Sequence, residues 1–294
     1  MIMPQPIDKH DANSHSSYHV PCRYNTLLLM RTWTAAMSLP TRPIPVLYQD
    51  EALVIVYKPA GMLVHRSALA AHDTHILMTE LRDQLNQWVY PVHRLDRPTE
   101  GVMVFALSPA YATALCQAFA EQRVKKRYLA VVRGHPPDTL HIARPLQEED
   151  GKRPKAMCPA MPAHTDIRCL ATITLDVALD RYPTSRYALV EARPLTGRRH
   201  QIRRHLSGVS HPIIGDAKHG KGVHNRYFCR TFFSDWQGDA RLLLASTALT
   251  LPHPEGGRLL SVSAELSDDF ARVLNQFGWQ SHLPSSCLIW HTTA

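Results

Sequence analysis

The stretch PVHRLDRPTEG at residues 91–101 leads directly into the apolar run VMVFAL at residues 102–107. Pro98 and Gly101 interrupt the chain just before this run, a pattern typical of a turn that enters a buried strand. Asp96 lies in this turn between two arginines, whose guanidinium groups favour its charged form. An ionised aspartate on a rigid turn can act as a nucleophile or a base, or can hold the loop through salt bridges. These residues alone leave both interpretations open.

The composition is that of a globular protein with excess positive charge. The chain has 294 residues, of which 45% are hydrophobic and 20% are charged. This length can bury a sizeable core in one large domain or two small ones. The formal net charge is +8, with the 18 histidines counted as neutral. Such a charge favours polyanionic partners, nucleic acid above all. We expect no membrane span, because no run of about 18 apolar residues occurs.

The six cysteines are scattered and show no Cys-x-x-Cys or Cys/His spacing typical of a metal site. We therefore expect neither a zinc site nor a disulfide framework, and interpret the thiols as reduced, in a cytoplasmic protein. Residues 1–42 are rich in His, Ser, Pro and Asn, which predicts a disordered or artefactual extension. The globular domain is expected over residues 46–280, followed by a tail at 281–294.

Apolar spacing and turn residues predict the elements of this domain. A helix is expected after Thr74 with its apolar face extending to Trp88, and another is capped by Ser108 and buries Cys116. Residues 135–165 lack periodicity and predict a long irregular connection. A third helix is expected from a cap at Thr196 to Gly208. Strands outnumber helices and are often joined by short turns, which favours an α+β domain with a mixed, largely antiparallel central sheet flanked by helices and loops.

Two basic segments stand out from the rest of the chain. Arginines and histidines crowd residues 196–208, and their mutual repulsion is costly unless an anion lies nearby. Residues 215–226 predict a flexible basic loop whose Gly, Lys and His content suits phosphate contact, although its spacing is not that of a nucleotide-binding loop. Both segments favour an anionic substrate or partner.

Five motifs occur in order along the chain: HRLDRPTxG at 93–101, KRYxA at 126–130, TGRxHQIR at 196–203, HPIIGD at 211–216 and RLLL at 241–244. In these motifs the chain resembles the RluA-type pseudouridine synthases across roughly residues 46–280. Within that family it most resembles the TruC branch, which isomerises the uridine at position 65 of certain tRNAs. The resemblance implies the pseudouridine synthase fold and a tRNA partner.

The resemblance also implies roles for individual residues. Asp96 would be the catalytic aspartate, which attacks or deprotonates the target nucleotide, and Arg203 would pair with it. Tyr128 would stack on the flipped uracil, with proton relay as a further candidate role. Arg94 would fill the gap left by the extruded base.

Further candidates surround this set. His93, Arg198 and His200 would lie behind the catalytic residues. The candidates for phosphate contact are Arg97, Lys125, Lys126, Lys218 and Lys221. The implied reaction is redox-neutral and releases nothing, so we expect no metal and no cofactor. We also expect a monomer.

Two positions depart from the family pattern. Glu100 replaces a small serine and is expected to place an acid near an RNA-facing loop. Ala245 replaces a histidine found in many relatives. Neither belongs to the catalytic set, so we expect an effect on substrate choice before an effect on activity.

Two other functions remain open from the sequence, namely a pseudouridine synthase acting on ribosomal RNA and a non-catalytic RNA-binding protein on the same fold. A hydrolase that uses Asp96 is a weaker alternative. A glycosidase normally needs a second carboxylate across the site, and the nearby Glu100 and Asp83 show no motif suited to that role.

Overall fold

The computed structural model describes residues 43–66, 75–148, 158–233 and 241–284. The predicted extension at 1–42 and residues 285–294 of the predicted tail lie outside the described residues. The strands are β1 Val46–Gln49, β2 Leu53–Lys58, β3 Tyr90–Pro91, β4 Glu100–Ala106, β5 Lys125–Arg133, β6 Thr139–Ala143, β7 Leu146–Gln147, β8 Ala160–Met161, β9 His164–Leu175, β10 Ser185–Pro194, β11 Leu244–Pro252 and β12 Leu259–Ser263. The helices are α1 Leu77–Leu85, α2 Pro109–Ala120, α3 Gln201–Gly208, α4 Gly222–Phe232 and α5 Asp268–Gln276.

One mixed sheet dominates the described part of the chain. Its strand order is β1-β2-β4-β11-β5-β10-β9-β6, with β3 added on β4 and β12 added on β11. The β4–β11 pair is parallel, and the other pairs in the sheet are antiparallel. The predicted α+β class with a largely antiparallel sheet is confirmed.

Strand β5 shows how the sheet separates two cores. Successive side chains of a strand point to opposite faces. Tyr128, Ala130 and Val132 accordingly pack in one cluster with residues of α3, whereas Leu129 and Val131 pack in another with α4 and α5. The face that carries Tyr128 and α3 also carries the cleft described below. None of the described helices is long and apolar enough to cross a membrane.

Gly101 allows β4 to approach β11 closely. Its φ is +113°, and a Cβ built there would lie 2.0 Å from the carbonyl oxygen of Ser246. Only glycine tolerates both this backbone conformation and this approach. The turn predicted before the apolar run therefore lies where the 91–99 loop enters β4, at the point where β4 approaches β11.

Several local predictions are corrected by the structure. Helix α1 ends at Leu85, and Trp88 lies beyond it with 66% of its surface exposed. Ser108 caps α2 as predicted, but Cys116 is exposed because Leu115 and Ala118 form the buried face. The segment predicted to be irregular holds β6, β7, β8 and the start of β9. These strands are short or half-exposed, so their sequences show little hydrophobic alternation.

The basic segments are also corrected in detail. Thr196 does not cap α3, whose N-cap is His200 in a left-handed conformation. The Thr196 hydroxyl instead donates to Gln201 Oε1 at 2.7 Å. The helix does end at Gly208, as predicted. Residues 222–226, which were expected in a flexible loop, form the first turns of α4.

Candidate active site

Three segments distant in sequence meet at a cleft of about 410 Å³. The 91–99 loop, the start of β5 and the connection from β10 to α3 supply its walls, with Leu244 among the apolar lining residues. Its volume falls within the range of about 300–1,000 Å³ that is usual for small-molecule sites. A second cavity of about 420 Å³ adjoins it and shares Arg94, Asp96, Arg198 and His200. The combined lining is rich in guanidinium groups, which suits a polyanion.

Asp96 and Arg203 form an ion pair in this cleft. Arg203 Nη1 donates to Asp96 Oδ2 at 2.8 Å. The Asp96 side chain keeps 19% of its surface exposed, whereas that of Arg203 keeps 7%. Arg97, the nearest arginine in sequence, instead directs its Nε to the carbonyl oxygen of Gly61 at 3.0 Å. The Asp96 carboxylate is thus held from behind while it remains open to a bound molecule.

A second carboxylate, that of Asp216, fixes Arg203 in turn. Arg203 Nε and Nη2 donate to the two oxygens of Asp216 at 2.7 and 2.8 Å. Backbone N–H groups of Lys218 and His219 also donate to Asp216 Oδ1, at 2.9 Å each. Burial would raise the pKa of Asp216, but these hydrogen bonds and the Arg203 charge outweigh it and lower that pKa. Asp216 lies in the HPIIGD motif, to which the sequence assigned no role.

Tyr128 lies on β5 and lines the same cleft. Its side chain is buried, and this burial raises its pKa to about 12. The phenol therefore stays protonated at neutral pH, so its ring can stack on a base while its hydroxyl acts as a donor. The structure thus brings together the three residues predicted as catalytic, Asp96, Tyr128 and Arg203.

The side chains of the other residues predicted to contact the substrate have different hydrogen-bond partners and different positions in the cleft. Arg94 and Arg198 line both cavities, and Arg94 is exposed at the rim. Lys126 Nζ donates to the Thr196 carbonyl oxygen at 3.2 Å, and burial lowers its pKa to about 8. His93 accepts a hydrogen bond from Val104 N at 3.1 Å through Nε2. Burial lowers the pKa of His93 to about 3, so it is neutral and supports the loop.

Four predicted phosphate contacts lie outside the lining of the two cavities: Arg97, Lys125, Lys218 and Lys221. Lys221 Nζ donates to Asp180 Oδ2 at 3.2 Å, and Lys218 is exposed beside Asp216. Their contact with RNA stays a prediction, which would apply to nucleotides next to the target.

Lys58 supports the catalytic loop in a way the sequence did not reveal. Its side chain is fully buried, and Nζ donates to the carbonyl oxygens of Pro59, Met62 and Arg97 at 2.8, 2.9 and 3.0 Å. Burial lowers its pKa to about 7. The Lys58 side chain therefore ties the turn after β2 to the residue that follows Asp96.

The expectation that Glu100 places an acid near an RNA-facing loop is wrong. Its side chain is 1% exposed and accepts hydrogen bonds from Arg241 Nη2 at 2.5 Å and Ser267 Oγ at 3.0 Å. Glu100 and Ala245 are direct partners in the parallel β4–β11 ladder. The two departures from the family pattern are therefore neighbours across one strand pair. Neither Glu100 nor Asp83 lines the cleft.

Replacing Arg241 with methionine is expected to lower the free energy of unfolding by about 3–5 kcal/mol, because the buried Glu100 carboxylate loses its charged partner. Arg123→Met is the matched control. Its partner Glu121 is half exposed, and such surface pairs contribute about 1 kcal/mol or less. Urea unfolding of both variants measures the difference. Equal small losses would show that the Glu100–Arg241 pair contributes little.

Within the described residues, no group of three or more His, Cys, Asp or Glu side chains is arranged to hold a metal ion. Catalysis without a metal or cofactor stays a prediction. The described cysteines, Cys116, Cys158, Cys169 and Cys229, are free thiols.

The fold and the basic cleft around the partly exposed Asp96 define the class of protein. The family model for RNA pseudouridylate synthase matches residues 52–208, and the chain belongs to that family. The resemblance to RluA-type enzymes is thereby confirmed.

Individual relatives narrow the comparison. The tRNA pseudouridine synthase C of Vibrio cholerae is 45% identical over 242 residues, which cover 81% of this chain and 97% of the relative. The enzyme of the same name from Haemophilus influenzae is 41% identical over 246 residues, with coverage of 80% and 98%. Among solved structures, Human RNA Pseudouridylate Synthase Domain Containing 4 is 28% identical with a TM-score of 0.59, covering 80% of this chain and 93% of that one.

Proposed function

We propose that this protein converts a uridine of tRNA to pseudouridine, with the uridine at position 65 as its target. The observation that carries the proposal is the Asp96 carboxylate, held by Arg203 and open to a basic cleft. Similarity to enzymes named tRNA pseudouridine synthase C supports tRNA as the substrate. We further propose that the protein is a monomer in the cytoplasm, and that its catalytic domain spans residues 46–280.

The reaction breaks the N1–C1′ bond of uridine, turns the uracil and joins C5 to C1′. C5 loses a proton to solvent and N1 gains one, so the composition of the nucleoside is unchanged. Asp96 assists cleavage of the glycosidic bond, as a nucleophile toward the sugar or as a base. Tyr128 stacks on the uracil while it is detached, and the apolar cleft around Leu244 keeps the ring from escaping into water.

The target base reaches Asp96 only after it leaves the RNA stack. Extruding a base costs a few kcal/mol, which phosphate contacts from a basic surface can offset. Arg94 is exposed at the rim beside Asp96, and this position supports a role in which its guanidinium stacks where the base was. Arg198 and Arg199 line the adjoining cavity and supply positive charge for the flanking phosphates.

The non-catalytic RNA-binding alternative accounts poorly for this geometry. A surface that only binds RNA needs cations, but it has no use for a partly exposed carboxylate supported by an arginine and a second buried carboxylate. A ribosomal RNA substrate would use the same cleft, so an experiment is needed to distinguish it from a tRNA substrate.

The test uses tRNA transcripts that carry tritium at uridine C5, because C5 loses its hydrogen only when the C5–C1′ bond forms. Purified protein is expected to release tritium from a tRNA with uridine at position 65. The same transcript with cytidine at position 65 should release none. Tritium release from ribosomal RNA transcripts but not from tRNA would show that ribosomal RNA is the substrate. No release from either RNA would contradict the proposed function.

A further inference from the structure

His200 stands between Asp96 and a second histidine, His219. Its Nε2 lies 3.8 Å from Asp96 Oδ2, and its Nδ1 lies 3.1 Å from His219 Nε2. The two imidazole rings meet edge to face, with centroids 5.3 Å apart. Its Nδ1 is therefore within hydrogen-bond distance of His219, whereas its Nε2 faces the proposed catalytic carboxylate at a distance longer than a hydrogen bond.

The loop that carries His219 is anchored to the same support as Arg203. The backbone N–H of His219 donates to Asp216 Oδ1 at 2.9 Å, and its carbonyl oxygen accepts from Ser207 Oγ at 2.8 Å. Asp216 thus holds both the guanidinium and the loop whose imidazole reaches His200. Asp216 therefore supports both groups that face Asp96, the Arg203 guanidinium directly and the His200 ring through His219.

The backbone of His200 is strained. Its φ is +53°, a left-handed conformation that residues with a side chain rarely adopt. Glycine would adopt this conformation without that cost. Strain of this kind is retained when the side chain contributes something that the fold alone does not need.

Proton positions on the pair follow from its neighbours. Burial lowers the pKa of His200 to about 4, with Arg203, His219 and Arg199 adding to the effect against the opposing charge of Asp96. At neutral pH His200 therefore carries one N–H. If that proton were on Nδ1, the lone pair of Nε2 would face the carboxylate, which is repulsive. If His219 Nε2–H donates to His200 Nδ1, the proton of His200 lies on Nε2 and points at Asp96.

We propose that His219 and His200 are positioning residues, in which His219 selects the Nε2–H form of His200 and His200 directs this N–H at the Asp96 carboxylate. This inference rests on the proposed role of Asp96. Asp96 then faces two donors, the Arg203 guanidinium at 2.8 Å and the His200 N–H from 3.8 Å, and the neutral His200 adds no net charge to the cleft. The tautomer of a functional histidine is commonly fixed by the hydrogen bond that its other ring nitrogen makes.

The test compares two replacements at His200 that share the left-handed backbone cost. His200→Gln keeps an N–H donor and is expected to retain kcat within about threefold, whereas His200→Met removes the donor and should lower kcat by roughly tenfold to a hundredfold. KM for tRNA should change less than twofold in both variants, because His200 is proposed to act on Asp96 and not on RNA binding. His200→Gly is expected to be at least as stable as the native protein and as slow as His200→Met.

His219→Phe tests the second ring, since it keeps the aromatic shape but has no N–H. It should lower kcat, but by less than His200→Met does, because part of His200 keeps the Nε2–H form. The double variant His200→Met/His219→Phe should be no slower than His200→Met alone. Equal activity of the Gln and Met variants, or additive effects in the double variant, would overturn the proposal.

A readout independent of turnover separates this proposal from the proposed function. In ¹⁵N-histidine NMR at neutral pH, His200, assigned by its absence in His200→Gln, is expected in the Nε2–H form, and His219→Phe should shift it toward a mixture of forms. Detection of the Nδ1–H form in the native protein would overturn the inference even if the enzyme is active. The Nε2–H form in a protein that modifies no RNA would instead contradict only the proposed function.

Discussion

Replacing Asp96 with asparagine is expected to abolish pseudouridine formation while the fold and the affinity for RNA are kept. Asparagine has nearly the same shape, and its amide oxygen can still accept the hydrogen bond from Arg203 Nη1. It can act neither as a nucleophile nor as a base at the sugar. Loss of such a group typically lowers kcat by at least ~10³-fold.

Tritium release from a tRNA transcript measures the rate, and fluorescence anisotropy measures binding of the same RNA. The control is Asp83→Asn, which removes a carboxylate that is 61% exposed on α1 and lies outside the cleft. It should turn over at the native rate. An Asp96→Asn variant with near-native turnover would remove Asp96 from the mechanism.

Replacing Arg203 with methionine is expected to lower stability and activity together. The free energy of unfolding should fall by about 3–5 kcal/mol, because the Asp216 side chain, with none of its surface exposed, loses its charged partner. Activity should fall because Asp96 loses the guanidinium that holds it. Urea unfolding and tritium release measure the two effects separately.

The double variant Arg203→Met/Asp216→Asn separates stability from catalysis. With no charge left at position 216, most of the lost stability should return, since a buried amide costs less than a buried unpaired carboxylate. Activity should stay low, because Asp96 still lacks its partner. Recovery of both would show that Arg203 acts only through the fold.

The pH dependence of stability provides a further check on Asp216. In the native protein its pKa lies below the ordinary value of 3.8. The unfolded chain then binds the proton more readily, so this stabilisation is present above the unfolded pKa and is lost as pH falls through the folded one. In Arg203→Met burial is opposed only by His219 and the backbone N–H of Lys218, so we expect that pKa to rise above the unfolded value, which reverses the sign. The deficit of the variant relative to the native protein should therefore shrink as pH is lowered from 7 toward 4.

The features that could be predicted from sequence are those with a local physical cause. Pro98, Gly101 and the apolar run predict a turn and a buried strand, and β4 Glu100–Ala106 is that strand. Ser108 followed by proline predicts the start of α2, and its hydroxyl accepts from Tyr111 N at 3.3 Å. The ordered motifs also named Asp96, Tyr128 and Arg203 as one set, by resemblance to a family with that arrangement.

Only the tertiary structure decided how distant residues share buried charge. Arg203 and Asp96 are 107 positions apart, and Glu100 and Arg241 are 141 apart. Whether Glu100 faces RNA or the interior depends on the register of β4 against β11, and a side chain's surroundings cannot be inferred from spacing along one strand. The roles of Asp216, Lys58 and the His200–His219 pair were hidden for the same reason. Hydrophobic period and turn residues act over a few positions, whereas burial of a charge depends on everything that packs around it.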